Sequence, residues 1–465
     1  MQVLKFGGDA LSDAARFRNV ARVVAETHGG DTAIVVVCSA IDGITDLLLG
    51  AARSAVHNDE ARIESTRREL WSRHRSLAEK LVPDEWEREE LFREWGDLLK
   101  IYDRVTRAIA TLGEPSPRGI DAVAALGERL IAHLVASVLR QNGVAARTVD
   151  ATQLIVTDQR FGAANPLPTE STKRIQQKLR AMVKSGVVPV VTGYIGATPE
   201  GVVTTLGRGG GDYTAALIGA ALQADEVWIW TDVDGILTAD PKIVASARTL
   251  NQLSYTEAAE IATLNPVVLN PRTITTAMAA GIPLRIANLF RPEHPGTRIV
   301  ADATPTTSLA RSIISTRTLQ MVVVNGSEAD GWSPVVAVRA LAELFQAGVE
   351  TLTFAESFGE QSLTMIVRSA DAEFACERLN TIFAAEQAAG VLKATTLGGS
   401  VALVTVVNAS GDPELTPRTL ATLGKANAQV LALVQSAASG HVTFTLPDNE
   451  ANAIVRALHT ELIGK

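Results

Sequence analysis

Along the first part of the chain, apolar positions alternate between unbroken β-branched runs and runs spaced for one face of a helix. Gln2–Phe6 and Thr32–Ser39 (TAIVVVCS) read as strands, the second unbroken as in a parallel sheet covered on both faces. Between them Phe17, Val20, Val23 and Val24 share a helix face, with Ser12 placed to cap that helix. Another helix starts near Ile44, and this strand–helix alternation predicts an α/β sheet. Residues 53–118 break the pattern. They are rich in Arg and Glu, hold Trp71, Trp86 and Trp95, and repeat leucines at helical spacing on either side of Pro83. They predict two amphipathic helices inserted at the rim of the sheet, with a solvated charged face. Ile120–Gln141 returns to a buried type of helix, with Glu128 inside its apolar run. Val187–Thr192 and Glu226–Thr231 are further strands, separated by a helix over Asp212–Gln223. Helices near Tyr255–Ala262 and Arg272–Ala280 and a strand at Pro283–Asn288 follow.

The pattern changes after a Thr- and Pro-rich linker at Ala301–Arg311. Strand, helix, strand, strand, helix is read from Gln320 to Ala385, and again from Val401 to Leu462. This predicts a duplicated ferredoxin-like module. The second copy runs out of chain before its fourth strand. Ser308–Ser315 is a spare strand, and filling that gap with it would interleave the two modules. The expected division is residues 1–300, a linker with the spare strand at 301–317, one module at 318–400 and a second at 401–465.

The 465 residues are 46% apolar and 20% charged, enough for several cored domains. A net charge of -8 argues against a surface that binds nucleic-acid backbone, so any anion site must be local. Cys38 and Cys376 lie far apart without metal-ligand spacing, which fits a reducing cytoplasm. The amino-terminal residues show no basic segment leading into a long apolar run, and no stretch reads as a membrane span.

The strongest chemical signal runs from Thr204 to Lys242. Leu206–Asp212 packs four glycines and Arg208 into one turn, followed by a helix, an apolar strand, and Thr231-Asp232-Val233-Asp234-Gly235. Glycines let backbone N–H groups approach an anion closely, and the helix start adds unpaired N–H groups and a positive dipole end. Arg208 adds a planar cation suited to a carboxylate or phosphate. Acids at the carboxyl end of the next strand lie where α/β sheets bind ligands. This order reads as a phosphate cradle followed by a nucleotide-facing edge.

These residues resemble the aspartate kinase family. The resemblance is carried by KFGG at Lys5–Gly8, CSAIDGIT at Cys38–Thr45, GERL at Gly127–Leu130, TLGRGGGD at Thr205–Asp212 and TDVDGILTADPK at Thr231–Lys242, with LNPRT at Leu269–Thr273 and PEHPGT at Pro292–Thr297. It implies an amino-acid-kinase sheet sandwiched by helices, followed by two ACT modules, and transfer of the ATP γ-phosphoryl group to a side-chain carboxylate. By that resemblance Lys5 contacts the moving phosphoryl group, and Asp212 both caps the helix and orients Lys5. Gly7, Gly8, Gly209, Gly210 and Gly211 would bind phosphate. Glu128 would take the substrate ammonium and Arg208 its α-carboxylate, with Ser39 and Thr45 lining that pocket. Thr231, Asp232, Asp234, Leu237 and Lys242 would face the nucleotide, with Mg²⁺ held mainly by phosphates and no dedicated protein metal site.

Asp9 and Ala10 replace the family's hydroxyl pair, Gly211 replaces a serine, Tyr194 another aromatic, and Asn270 a histidine. Leu237, Lys242 and Val267 replace a tyrosine, an arginine and a lysine, which should weaken triphosphate binding. The implied activity is aspartate 4-kinase. The alternatives are a sister kinase for another amino or carboxylic acid, or a non-catalytic amino-acid sensor. The resemblance also implies a homodimer or larger assembly joined through residues 309–465. An amino-acid effector is expected at the turns Asn325–Pro334 and Asn408–Asp412.

Overall fold

The computed structural model describes residues 1–29, 32–264, 269–304, 308–327, 332–408, 412–436 and 440–464. The chain divides into two units: Met1–Ile236 with Thr249–Thr304, and Leu237–Arg248 with Pro305–Lys465. Residues 237–248, expected within the first domain, thus belong to the second unit.

In the first unit an eight-stranded sheet forms from β1 (Gln2–Phe6), β2 (Ile34–Cys38), β3 (Ala146–Val149), β4 (Val188–Thr192), β7 (Glu226–Thr231), β8 (Gln252–Ser254), β9 (Leu284–Asn288) and β10 (Thr297–Val300). A hairpin of β5 (Ile195–Ala197) and β6 (Val203–Thr205) stands apart from it. The strand order is β3-β4-β2-β1-β7-β9-β10-β8, with only the β9–β10 pair antiparallel. Lys5 on β1 lies beside Val37 on one side and Ile229 on the other, so the carboxyl ends of β2, β1 and β7 line up. Five consecutive buried residues in β2 and in β4 explain why those strands read as unbroken apolar runs. β3, β8 and β10 lie at or near the margins, and their short, half-polar sequences carried no clear strand signal.

The helices of this unit are α1 (Ala14–Gly29), α2 (Ile44–Ala55), α3 (Glu60–Leu81), α4 (Glu85–Leu112), α5 (Pro117–Ala124), α6 (Leu126–Gln141), α7 (Pro168–Lys184), α8 (Gly210–Leu222), α9 (Tyr255–Leu264) and α10 (Pro271–Ala280). Asp13, not Ser12, caps α1: its Oδ1 accepts from the N–H groups of Ala15 and Arg16, while the Ser12 hydroxyl donates to the Asp9 carbonyl. The inserted pair α3–α4 is more than a rim. Trp95 is fully buried, its indole N–H donates 2.9 Å to the Leu130 carbonyl of α6, and Trp71, Phe92 and His74 pack around it. Residues 117–141, contrary to the sequence expectation, are long and apolar enough to cross a membrane, but 83% of the most apolar window is buried inside the protein. It is a core helix pair, and its apolar composition follows from that burial. α7 was absent from the sequence reading, although Ile175, Leu179 and Met182 bury one face of it.

The second unit is built on one six-stranded antiparallel sheet, in the order β12 (Thr351–Ser357), β13 (Ser362–Arg368), β11 (Ala310–Asn325), β14 (Thr396–Asn408), β16 (Val442–Pro447), β15 (Ala432–Gln435). Helices α11 (Pro334–Gln346), α12 (Ala372–Ile382), α13 (Ala384–Ala388), α14 (Leu415–Lys425) and α15 (Ala451–Leu462) complete it. β11 and β14 are each long enough to serve both modules. The second half of β11 pairs β13 while its first half, Ala310–Thr316, pairs Asn408–Leu403 of β14. The spare strand therefore becomes the fourth strand of the second module, and the first half of β14 the fourth strand of the first. The interleaving has a break between Thr316 and Leu319, where Thr318 takes a positive φ of 62°.

Candidate functional site

The carboxyl ends of β1 and β2 and the amino end of α8 enclose a cavity of about 390 Å³ within the first unit. Lys5, Ser39, Thr45, Glu128, Arg208, Gly209, Gly210, Gly211 and Asp212, all named from sequence, line it. Asp46, Leu49, Tyr194 and Gly207 line it too and were not assigned there. Tyr194 could have been found: it sits in a Gly-Tyr-Ile-Gly turn after a buried strand, and its φ is +69°, unusual for a bulky residue.

Lys5 Nζ lies 2.6 Å from Asp212 Oδ1, and both side chains are largely buried. β1 presents Lys5 on the face covered by α8, and α8 turns Asp212 back to meet it. Asp212 does not cap the helix. The N-cap is Gly209, in the left-handed region at φ 70°, and no side chain caps the turn. The Gly210 N–H donates to the Gly207 carbonyl at 2.9 Å, which leaves the N–H groups of Gly211 and Asp212 for a ligand. Gly209 and its neighbours are glycine for steric reasons as well. A Cβ on Gly210 would lie 2.8 Å from the Tyr194 ring, and one on Gly211 would lie 2.5 Å from Ser39 Oγ.

The glycine turn is pinned from several sides. Asn270 Nδ2 donates to the Arg208 carbonyl at 2.5 Å, and Arg272 donates to the carbonyls of Leu206 and Ala164 while stacking over Tyr213. Asp121, buried on α5, accepts from the Gly162 N–H, the Thr205 N–H at 2.8 Å and the Thr205 hydroxyl at 2.9 Å. A buried carboxylate with no cation on it is thus satisfied by hydrogen bonds, although burial still raises its pKa.

Glu128 is 3% exposed at the amino end of α6. Its Oε1 accepts from the Ala40 N–H at 3.2 Å, while its Oε2 is buried without a hydrogen-bond partner. The cationic partner expected for a buried acid is absent from the ion pairs of the described residues. Desolvation pushes its pKa up to about 7. A buried carboxylate oxygen at the cavity, half satisfied, is suited to a ligand cation. The lining thus carries the carboxylates Glu128, Asp46 and Asp212 and the cations Arg208 and Lys5, with Lys5 paired to Asp212.

Gly7 and Gly8 lie beside the cavity without lining it. A Cβ on Gly8 would approach the Ala40 carbonyl oxygen to 2.7 Å, so the glycine permits β1 and the turn after β2 to meet. At the end of β7, Asn288 Nδ2 donates to Asp234 Oδ1 at 2.7 Å and to the Asp232 carbonyl, and Arg291 pairs with Asp234. The Thr231 hydroxyl turns towards the Asp232 carboxylate, at 3.3 Å. Burial, then the charges of Asp232 and Asp42, raise the pKa of Asp9. Leu237 and Lys242, expected at the nucleotide, belong to the second unit, where the Leu237 carbonyl accepts from the Ser312 hydroxyl. Val267 lies outside the described residues, as do 328–331 and 409–411 of the two expected effector turns.

Along its length the chain is 28% identical to the bifunctional aspartokinase/homoserine dehydrogenase of Daucus carota, over 98% of this chain and 50% of that protein. It is 29% identical to aspartokinase 1 of Arabidopsis thaliana, over 98% of this chain and 79% of the relative. The chain spans about half the length of the bifunctional relatives it matches. Among solved structures, E. coli aspartokinase III in complex with aspartate and ADP superposes with a TM-score of 0.79 at 25% identity, covering 100% of both chains. The same enzyme with lysine and aspartate gives 0.78 at 26%, covering 99% of each. The model of the amino acid kinase family matches residues 1–288, more than half of the 465, and the chain belongs to that family.

Proposed function

We propose that the protein is an aspartate kinase, transferring the γ-phosphoryl group of ATP to the side-chain carboxylate of L-aspartate to give 4-phospho-L-aspartate. The observation that supports this reading is the cavity lining, in which Glu128 Oε2, buried without a hydrogen-bond partner, occurs together with the cations Arg208 and Lys5. An α-amino dicarboxylic acid has the matching charges. Glu128 takes its ammonium, Arg208 its α-carboxylate, and its side-chain carboxylate is directed to Lys5. The solved relative with aspartate and ADP supports the same ligands.

The chemistry asks for positioning and charge neutralisation. Lys5, held by Asp212, neutralises charge on the transferring phosphoryl oxygens. The N–H groups at Gly209 and Gly211 supply donors that need no reorganisation during the reaction. Asp232, just after β7, and Asp9 would bear on the metal. Among the described residues no group of three or more ligand side chains forms a metal cage. Mg²⁺ is commonly held by one or two carboxylates together with substrate phosphates, and Asp232 and Asp9 fit that mode. When bound, Mg²⁺ neutralises the phosphate charge that these carboxylates would otherwise repel.

Two further parts of the reading go with this one. An amino-acid effector at the ACT modules is supported by the relative that binds lysine together with aspartate. A cytoplasmic location is consistent with two free cysteines, Cys38 and Cys376. The test of the activity is incubation with ATP, Mg²⁺ and hydroxylamine over a panel of amino and carboxylic acids. Hydroxamate from aspartate is expected. Hydroxamate from another acid alone would give the protein to a sister kinase, and none from any acid would leave it a sensor.

A further inference from the structure

Arg208 lies exposed on the lining of the acceptor cavity, and among the hydrogen bonds and ion pairs of the described residues none holds its guanidinium. Where that side chain reaches is therefore set by its backbone. The segment that leads into Arg208 is tied from two sides. Asp121 accepts from the N–H groups of Gly162 and Thr205, while Arg272 donates to the carbonyls of Ala164 and Leu206, each at 3.2 Å. The two charged side chains thus join the same pair of backbone segments, one through N–H groups and the other through carbonyls. At Arg208 itself the hold is Asn270, the N-cap of α10. Asn270 Oδ1 accepts from the Arg272 N–H at 2.8 Å, and its Nδ2 donates to the Arg208 carbonyl at 2.5 Å. An amide has one accepting and one donating end, so a flip would set donor against donor and acceptor against acceptor. These two bonds fix the orientation of the side chain. A Cβ on Gly209 would lie 2.8 Å from Asn270 Cβ, so the turn and the cap meet with no room between them.

We propose that Asn270 is a positioning residue for the acceptor, setting through the Arg208 carbonyl where the guanidinium meets the substrate α-carboxylate. This rests on the aspartate kinase reading and adds to it a residue that is not itself on the cavity lining. The amide suits the place because it performs two tasks at once. Its oxygen caps a helix, as a serine or an aspartate side chain also does. Its nitrogen reaches across to the turn as a donor, which neither of those can supply. Helix stability and acceptor affinity therefore separate at this one side chain.

Steady-state kinetics with L-aspartate, read beside thermal melting of the full chain, test this. Asn270→Asp and Asn270→Ser both keep a capping oxygen. The first turns an acceptor towards the Arg208 carbonyl, and the second is too short to reach it. Each should raise the KM for aspartate about tenfold, the scale of a lost hydrogen bond whose partner is left unsatisfied, at the melting temperature of the wild type. In an Arg208→Ala background Asn270→Asp should add little, because its effect passes through Arg208. An unchanged KM for Asn270→Ser overturns the proposal, since any effect of Asn270→Asp would then be one of charge alone. So does a melting temperature lowered in both, which would make the residue a cap and nothing more. So does an effect that multiplies with that of Arg208→Ala. Arg208→Ala separates the two levels. If it leaves aspartate kinetics unchanged, the α-carboxylate is not bound here and the function reading loses its acceptor end together with the proposal. If it raises KM while the Asn270 variants do not, only the proposal falls.

Discussion

At the scale of single residues, the site depends on a few groups that have no substitute nearby. Lys5 is held by Asp212, in the first turn of α8, at 2.6 Å. Lys5→Met should lower kcat by about 10²–10³-fold, the range for losing one preorganised donor, with the folded state retained by circular dichroism. Gly211 makes a less obvious prediction. A serine here would set a Cβ 2.5 Å from Ser39 Oγ and 3.3 Å from Lys5 Cε. The Ser39 hydroxyl already occupies the place that a serine at 211 would fill. Gly211→Ser should therefore impair turnover, and paired with Ser39→Gly it should recover part of it. Initial rates for the two variants decide the matter; a fully active single variant would show that Ser39 can move aside.

Glu128 gives a pH dependence whose sign follows from burial. Its folded pKa is raised to about 7 from 4.5 by desolvation. The folded state therefore holds a proton that the unfolded state has lost between those values. Its stabilising contribution is present below pH 4.5 and disappears as pH rises through 7. A bound ammonium reverses the preference and draws the proton off. Aspartate affinity should rise with pH up to about 7 and then level, and Glu128→Gln should flatten that profile. Isothermal titration in buffers of different ionisation enthalpy would show the proton release at pH 6.

At the scale of elements, the α3–α4 insertion and α6 form one packed block. Trp95, fully buried, joins them through ring contacts and its bond to Leu130. Trp95→Ala should cost about 3–5 kcal/mol by cavity formation, read as a lower denaturation midpoint. The same block buries His74, whose pKa is lowered to about 4 from 6.5 mainly by desolvation. Between those values the unfolded chain holds the proton and the folded chain does not, so this group makes stability rise with pH. Glu128 makes it fall over an overlapping window. The two oppose each other in the wild type. Glu128→Gln should expose the rising trend between pH 4 and 6.5 in thermal melts, and His74→Gln the falling one. Parallel melting curves for all three proteins would show that neither group titrates on unfolding.

At the scale of the whole molecule, the two units carry different tasks. The first holds all the residues that line the acceptor cavity. The second is an interleaved sheet whose outer strands β12 and β15 leave unpaired edges, with Phe354, Leu433 and Val434 exposed on them. Such edges and apolar side chains favour pairing with another chain. A homodimer or larger species is expected in sedimentation at micromolar concentration, and Leu433→Lys combined with Val434→Lys should weaken it if β15 takes part. A monomeric wild type would count against association through this unit.

Much of this was legible along the chain because period and punctuation are local. β1 and β7 fall on the expected residues, since their buried positions are apolar and the strands end at glycine or charge. The cradle was legible for the same reason: Lys5, Arg208, the glycines and Asp212 are set by short motifs at strand ends and a helix start. What sequence determined, then, was the buried strands and helices at the centre of the first unit and most of the residues that line the cavity, because backbone sterics and hydrophobic period act over a few residues. Other features arise between segments far apart in the chain. Tertiary structure alone decided that Asp121 bonds Thr205, that Ser39 occupies the space above Gly211, and that Glu128 lacks a cation. It also decided that residues 237–248 join the second unit. A hydrogen-bond partner, a steric limit and a desolvation cost depend on which surfaces meet, and only the packed fold brings those surfaces together.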